Sequence, residues 1–208
     1  MYDSKTTIEG FLNAAAAKQP TPGGGSVTAL VGALAASMGE MVLNYSVNKK
    51  DLEPFRDELA PALAELHKAR GMLVQLMIED QAAYEVMSAL RKLPDDSRER
   101  KDKYPAALLA CIRVPQAISA TALATLELSD RMVNFVNYHL LSDLAVCADL
   151  SMATIRCGIY NVRVNLKDVT DPGDRRSIES TTTQILSHAA AIIQRVVPRI
   201  WERDSQGA

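Results

Sequence analysis

Aromatic side chains are scarce in this chain: three Phe, one Trp and six Tyr, or 5% of 208 residues. With 48% apolar residues and so few large rings, the interior has to be filled by Ala, Leu and Val, the composition of helices packed on helices. Excess basic charge is missing as well. The 23 Lys and Arg are matched by 25 Asp and Glu, for a net charge of −2, which leaves no electrostatic case for nucleic acid as a partner. The cysteines, Cys111, Cys147 and Cys157, are odd in number and fit no metal spacing. A disulfide framework is thereby excluded, and they read as reduced, buried thiols of a cytoplasmic protein. MYDSKTTIEGF at the start has neither the basic residues nor the apolar core of a signal peptide. Only Val27 to Leu43 approaches the length of a membrane span, and Glu40 interrupts it, so no membrane partner is expected. Repeats and low-complexity segments are absent, and residues 1–208 read as one all-α domain, a bundle of long, partly kinked helices.

What is present is organised around Asn137 to Lys167, long, mostly apolar and free of Pro. At helical spacing His139 and Asp143 share a face, and Asp143, Cys147, Leu150, Thr154, Asn161 and Asn165 continue as one stripe. A carboxylate on such a helix is costly to bury unless it is paired or used, which marks Asp143 as a candidate. Asn161 lies 18 residues further on, about 27 Å along a helix, too far to share a site with Asp143. Asn161 and Asn165 therefore read as structural, bonding neighbouring backbone or another subunit.

A short helix is expected over Lys5 to Lys18, with Ile8, Leu12 and Ala15 inward. Thr21-Pro22-Gly23-Gly24-Gly25-Ser26 then opens into a helix running to Ser46. Three glycines at a helix start leave unpaired backbone N–H groups open to an anion or to the edge of a polar ligand. They equally suit a tight loop with Ser26 as N-cap. The Gly-Lys-Ser/Thr ending of a nucleotide-binding loop is missing, and no strand precedes the glycines. Glu40 needs a partner, and Lys49 sits in the charged turn that ends the helix. A third helix runs from about Glu53 to Leu93, kinked or restarted at Pro61, with Leu59, Leu63, Leu66, Leu73, Leu76 and Met77 inward and Asp80 facing a site or solvent. Pro94 to Lys103 reads as a surface loop, followed by a helix from Tyr104 to Leu128 that kinks at Pro115, and a linker over residues 129–136. The last helix, Asp174 to Glu202, turns Ile185, Ala189, Ile192 and Val196 inward and breaks near Pro198.

Taken together, TPGGGSVTAL, MVLNYSVNKK, IEDQAAYEVMSALRKLP, Val114-Pro115, NYHLLSDLAV and NVRVNLKDVTD, in that order from about Thr7 to Val197, resemble the cyclodeaminase/cyclohydrolase family of tetrahydrofolate one-carbon enzymes. The resemblance implies an all-helical homodimer that acts on a folate or related pterin, with no metal and no redox cofactor. It implies hydrolysis of 5,10-methenyltetrahydrofolate to the 10-formyl compound. The alternatives are a formimidoyltetrahydrofolate cyclodeaminase that releases ammonia and a catalytically silent pterin- or protein-binding helical dimer. Val136-Asn137 and Asn48-Lys49 stand where the family has Gly-Asn and Gly-Lys.

Both reactions pass through a tetrahedral carbon between N5 and N10, and each needs a group that tolerates a cation and moves one proton. Asp143 is the expected carboxylate, with Asn137 and Ser142 orienting it and His139 tuning it or acting as base. Thr21, Gly23, Gly24, Gly25 and Ser26 are expected to receive the pterin or the glutamate tail, Lys49 a tail carboxylate, and Asp80 the pterin amino group.

Overall fold

Residues 1–206 are described by a computed structural model of the chain. Six helices carry the fold: α1 (Ile8–Ala16), α2 (Gly24–Asn44), α3 (Arg56–Arg91), α4 (Arg98–Met132), α5 (Leu141–Leu166) and α6 (Pro172–Gln206). No strand occurs among the described residues.

Helix α2 is the axis of the assembly because it is apolar nearly all round and carries Gly25, Gly32 and Gly39 at heptad spacing. A Cβ on Gly32 would stand 3.0 Å from Leu73 and 3.0 Å from Thr154; on Gly39 it would stand 3.0 Å from Leu66 and 3.1 Å from Cys147. The missing side chains let α3 and α5 press against α2 from two sides. Gly24 meets Asn161, Gly32 meets Thr154 and Gly39 meets Cys147, so α5 runs antiparallel to α2; Gly25 with Asp80 and Gly39 with Leu66 fix α3 the same way. The N-terminus of α2 is thereby held between the second half of α3 and the end of α5.

Helices α4 and α6 close the bundle over a core that includes Leu43, Leu59, Leu126, Leu141, Ile155, Ile192 and Ile200. Glu40 finds its partners on α3, in Arg70 and His67. Two helices, α2 and α4, are long and apolar enough to cross a membrane, and 56% of the relevant stretch of α2 is packed inside the fold.

Several expectations are corrected. In α1 the buried residues are Phe11 and Ala14, with Phe11 edge-on to Tyr2, while Ile8 and Leu12 face outward. Ser97 caps α4 by accepting from the Arg100 N–H, so the helix starts inside the expected loop and runs on through most of the expected linker. None of Pro61, Pro115 and Pro198 ends its helix. The carbonyls that Pro61 and Pro198 leave without a helical donor belong to Asp57 and Gln194, both on exposed positions where water can replace the bond. At Pro115 the replacement comes from α5. The Cys111 carbonyl accepts from Asn165 Nδ2 at 3.2 Å. Asn137 to Lys167 is not one helix: a short 3-10 turn, Tyr138–Leu140, precedes α5. Cys111 and Cys147 are buried, but Cys157 is exposed.

Candidate active site

A cavity of about 350 Å³ opens where the start of α2, the second half of α3 and the end of α5 converge. That volume suits the bicyclic head of a small-molecule ligand. Its carboxylate is Asp80. The Ser26 hydroxyl donates to Asp80 Oδ2 at 2.8 Å. Burial raises the Asp80 carboxyl above its ordinary range, while the Ser26 hydroxyl and backbone N–H pull in the opposite direction. Asp80 is half-buried and has no cationic side chain bonded to it among the described residues. Such a group holds a proton more readily than a surface carboxylate and can pass it on.

The glycine loop is shaped around this side chain. A Cβ on Gly25 would fall 1.9 Å from Asp80 Oδ1, so no other residue leaves Asp80 its place. On Gly24 a Cβ would stand 3.2 Å from Asn161 Oδ1. Gly23 is the N-cap of α2 and offers no side chain, which corrects Ser26 as N-cap. Ser26 lies within the first turn, where its hydroxyl is free for Asp80. Thr21 is buried; its hydroxyl donates to Glu85 Oε1 at 3.0 Å, and its carbonyl accepts from Gln19.

Asn161 and Asn165 form the facing wall. Asn161 Nδ2 donates to the Cys157 carbonyl at 2.8 Å, and Asn165 Nδ2 is shared between Cys111 and Asn161 carbonyls. Both bond neighbouring backbone, as expected, yet both also line the cavity. Arg91 and Lys167 stand at the rim, Arg91 held by Asp168 Oδ2 at 2.6 Å and by the Tyr104 hydroxyl at 3.1 Å. Cys111, behind Asp80, is pushed up to about 11, first by burial and then by the Asp80 charge, and stays a thiol. Sequence reasoning missed Arg91, Lys167 and Cys111. The signal for Asn165 was available: a proline in α4 frees a carbonyl that an amide donor must satisfy.

The other expected residues lie elsewhere. Asp143 is in the first turn of α5, half-buried, with no hydrogen bond or ion pair among the described residues. Ser142 and His139 beside it are exposed, and the His139 ring stacks edge-on to Tyr138 rather than reaching Asp143. The Asn137 N–H donates to Ser46 Oγ at 2.8 Å and its side chain accepts from the His139 N–H at 3.2 Å, a structural turn. Lys49 pairs with Asp51 at 3.8 Å. These five residues gather at the far end of α2 and α5, so within one subunit they do not share the cavity with Gly23, Gly24, Gly25 and Asp80. Helix α5 separates the two groups by its own length, about 27 Å between Asp143 and Asn161. Among the described residues no three His, Cys, Asp or Glu side chains converge in a way that would hold a metal ion.

The family model of formiminotransferase-cyclodeaminase matches residues 7–184. Methenyltetrahydrofolate cyclohydrolase of Methylorubrum extorquens is 28% identical over 194 residues, covering 91% of this chain and 93% of that protein. Formimidoyltransferase-cyclodeaminase of Mus musculus is 27% identical over 188 residues, covering 88% of this chain; the chain spans about a third of that protein, 35% of its length. The crystal structure of formiminotetrahydrofolate cyclodeaminase from Thermotoga maritima matches with a TM-score of 0.82 and 26% identity, over 97% of each chain.

Proposed function

The chain belongs to the formiminotransferase-cyclodeaminase family, and on that premise we propose that it is a one-carbon tetrahydrofolate enzyme that hydrolyses 5,10-methenyltetrahydrofolate to 10-formyltetrahydrofolate in the cavity beside Asp80. The observation that carries the reading is a carboxyl held above its ordinary range by burial, packed against a glycine helix start in a ligand-sized cavity. Near-full coverage of the cyclohydrolase relative favours hydrolysis.

Water adds to the methenyl carbon as Asp80 takes its proton, giving a neutral tetrahedral carbon between N5 and N10. The same carboxyl then returns the proton to N5 as the carbon–N5 bond breaks and the hydroxyl on the tetrahedral carbon releases its own proton to solvent, leaving the formyl group on N10. The negative form of Asp80 also stabilises the cationic substrate before water adds. No metal or redox cofactor is needed for these steps. Gly24 and Asn161 present polar edges to the pterin, and Arg91 and Lys167 take over from Lys49 the role of meeting the carboxylates of the glutamate tail. The enzyme works as a homodimer in the cytoplasm, a single helical domain without nucleic-acid or membrane partners.

The Thermotoga maritima neighbour supports a second reading, closure of N10 onto a formimino carbon with loss of ammonia. It uses the same carboxyl as the donor to the leaving amine. The test is the decay of methenyltetrahydrofolate absorbance with purified protein, with and without Asp80→Ala. Acceleration abolished by the substitution supports hydrolysis at Asp80. No acceleration, with ammonia released from the formimino substrate, establishes the second reading. Folate binding without either turnover leaves a binding module.

A further inference from the structure

Arg91 is the last residue of α3, and a closed triangle of hydrogen bonds fixes its head group. Its Nε donates to the Tyr104 hydroxyl at 3.1 Å, its Nη2 donates to Asp168 Oδ2 at 2.6 Å, and the Tyr104 hydroxyl donates to the same Oδ2 at 3.2 Å. Arg91 comes from α3, Tyr104 from α4 and Asp168 from the turn after α5. One edge of the guanidinium, Nε with Nη2, is thereby engaged. Nη1 has no partner among the described residues and, with the second Nη2 hydrogen, makes an open fork of the kind that fits a carboxylate.

Each partner is itself held. The Arg100 guanidinium lies over the Tyr104 ring, 5.6 Å from its centre, and donates to the Leu93 carbonyl at 2.7 Å, which ties the start of α4 to the end of α3. The Asp168 N–H donates to the Asn165 carbonyl at 3.1 Å, and Arg175 of α6 donates to the Leu166 and Lys167 carbonyls at 3.1 and 2.9 Å. This one turn delivers Asn165 to the cavity wall, Lys167 to its rim and Asp168 to Arg91.

Stability does not explain the arrangement. The side chains of Arg91 and Asp168 are 38% and 30% exposed, and an ion pair so open to water adds little to folding. What the triangle changes is the state of Arg91 before a ligand arrives. A free arginine loses rotamer freedom when it grips a carboxylate, whereas one already fixed has lost it beforehand. Arg91 and Lys167 are the cationic side chains that line the cavity, so the order of Arg91 bears on how an anionic group is received there.

We propose that Tyr104 and Asp168 are positioning residues that hold Arg91 at the cavity with its open edge ready, and that this clamp makes the site select a pterin whose tail carries free carboxylates over one whose tail is neutral. This rests on the cavity beside Asp80 being the folate site. Tyr104 and Asp168 touch no reacting atom. They act on binding, through Arg91, and leave the proton transfers at Asp80 unchanged.

The test compares 5,10-methenyltetrahydrofolate with its bis-amide, in which both tail carboxylates are carboxamides. Wild type is expected to turn over both at similar kcat, with KM for the bis-amide about 10- to 100-fold higher. Tyr104→Phe and Asp168→Glu keep every charge and change only where Arg91 stands. Each is expected to raise KM for the acid by about 2- to 10-fold, the cost of ordering one long side chain on binding, with kcat and the bis-amide KM unchanged. In an Arg91→Ala background Tyr104→Phe is expected to add nothing, because the two act as one unit. A wild type that does not discriminate acid from amide, variants that lose equally on both, or additivity with Arg91→Ala each overturns the proposal and leaves hydrolysis at Asp80 standing. In a protein that turns over neither the methenyl nor the formimino substrate, Kd for tetrahydrofolate and its bis-amide carries the same comparison. The same pattern there keeps the clamp and sinks the reaction; binding of neither ligand sinks both.

Discussion

Asp80 sits where it does because Gly25 has no side chain. Asp80→Asn keeps the shape and removes the proton carrier, so kcat/KM is expected to fall by about 10²- to 10⁴-fold with tetrahydrofolate affinity nearly retained. Gly25→Ala is expected to be harsher, losing binding as well, because the added methyl evicts the carboxylate; ligand titration distinguishes the two. The pH dependence follows from the direction of the Asp80 shift. Its folded value lies above the ordinary 3.8, so between those two values the unfolded chain ionises first and the native state holds the extra proton. Stability contributed by this group therefore falls as pH rises through that window, and Asp80→Asn is expected to flatten the dependence of the urea midpoint on pH there. Activity runs the other way. A base must be ionised, so kcat/KM of the hydrolysis is expected to rise with pH through the raised value.

At the scale of the element, helix ends and helix faults position the site. Pro115 withholds the N–H that would have bonded the Cys111 carbonyl, and Asn165 of α5 takes the vacancy. Pro115→Ala restores a competing donor inside α4. Thermal stability is expected to hold or rise while KM for the folate increases, because Asn165 and the wall it belongs to are released. Gly158 lets α5 approach α4 closely. A Cβ there would lie 2.2 Å from Ser119 Oγ and 3.1 Å from the Pro115 carbonyl oxygen. Gly158→Ala is expected to cost about 1–3 kcal/mol by equilibrium unfolding, the usual penalty for overpacking. The sequence marked Pro115 as a fault but not its remedy, since the donor comes from 54 positions away.

The whole molecule is a helical bundle with a cavity at one end of a central helix. Binding to the native state alone raises stability by mass action. A tetrahydrofolate derivative at a hundred times its Kd is expected to stabilise wild type by about 2.7 kcal/mol. The corresponding shift in Tm is expected to be lost in Gly25→Ala, and a shift that survives there places the ligand elsewhere.

Helix content, the buried faces of α3 and α6 and the glycine-rich start of α2 were legible along the chain, because periodicity and turn chemistry act over a few residues. From the sequence Asp80 was legible as a partner for the pterin amino group, and Asp143, on a long apolar stretch, as the carboxylate that moves the proton. The antiparallel packing of α2 against α3 and α5 sets the two apart. It brings Asp80, Asn161 and Asn165 to the glycine loop and carries Asp143 and Lys49 to the opposite end. A stripe of residues fixes which face of a helix is buried, but not which of its ends meets a given loop. That depends on the direction in which distant helices pack, and here on the three glycines of α2 that let them approach.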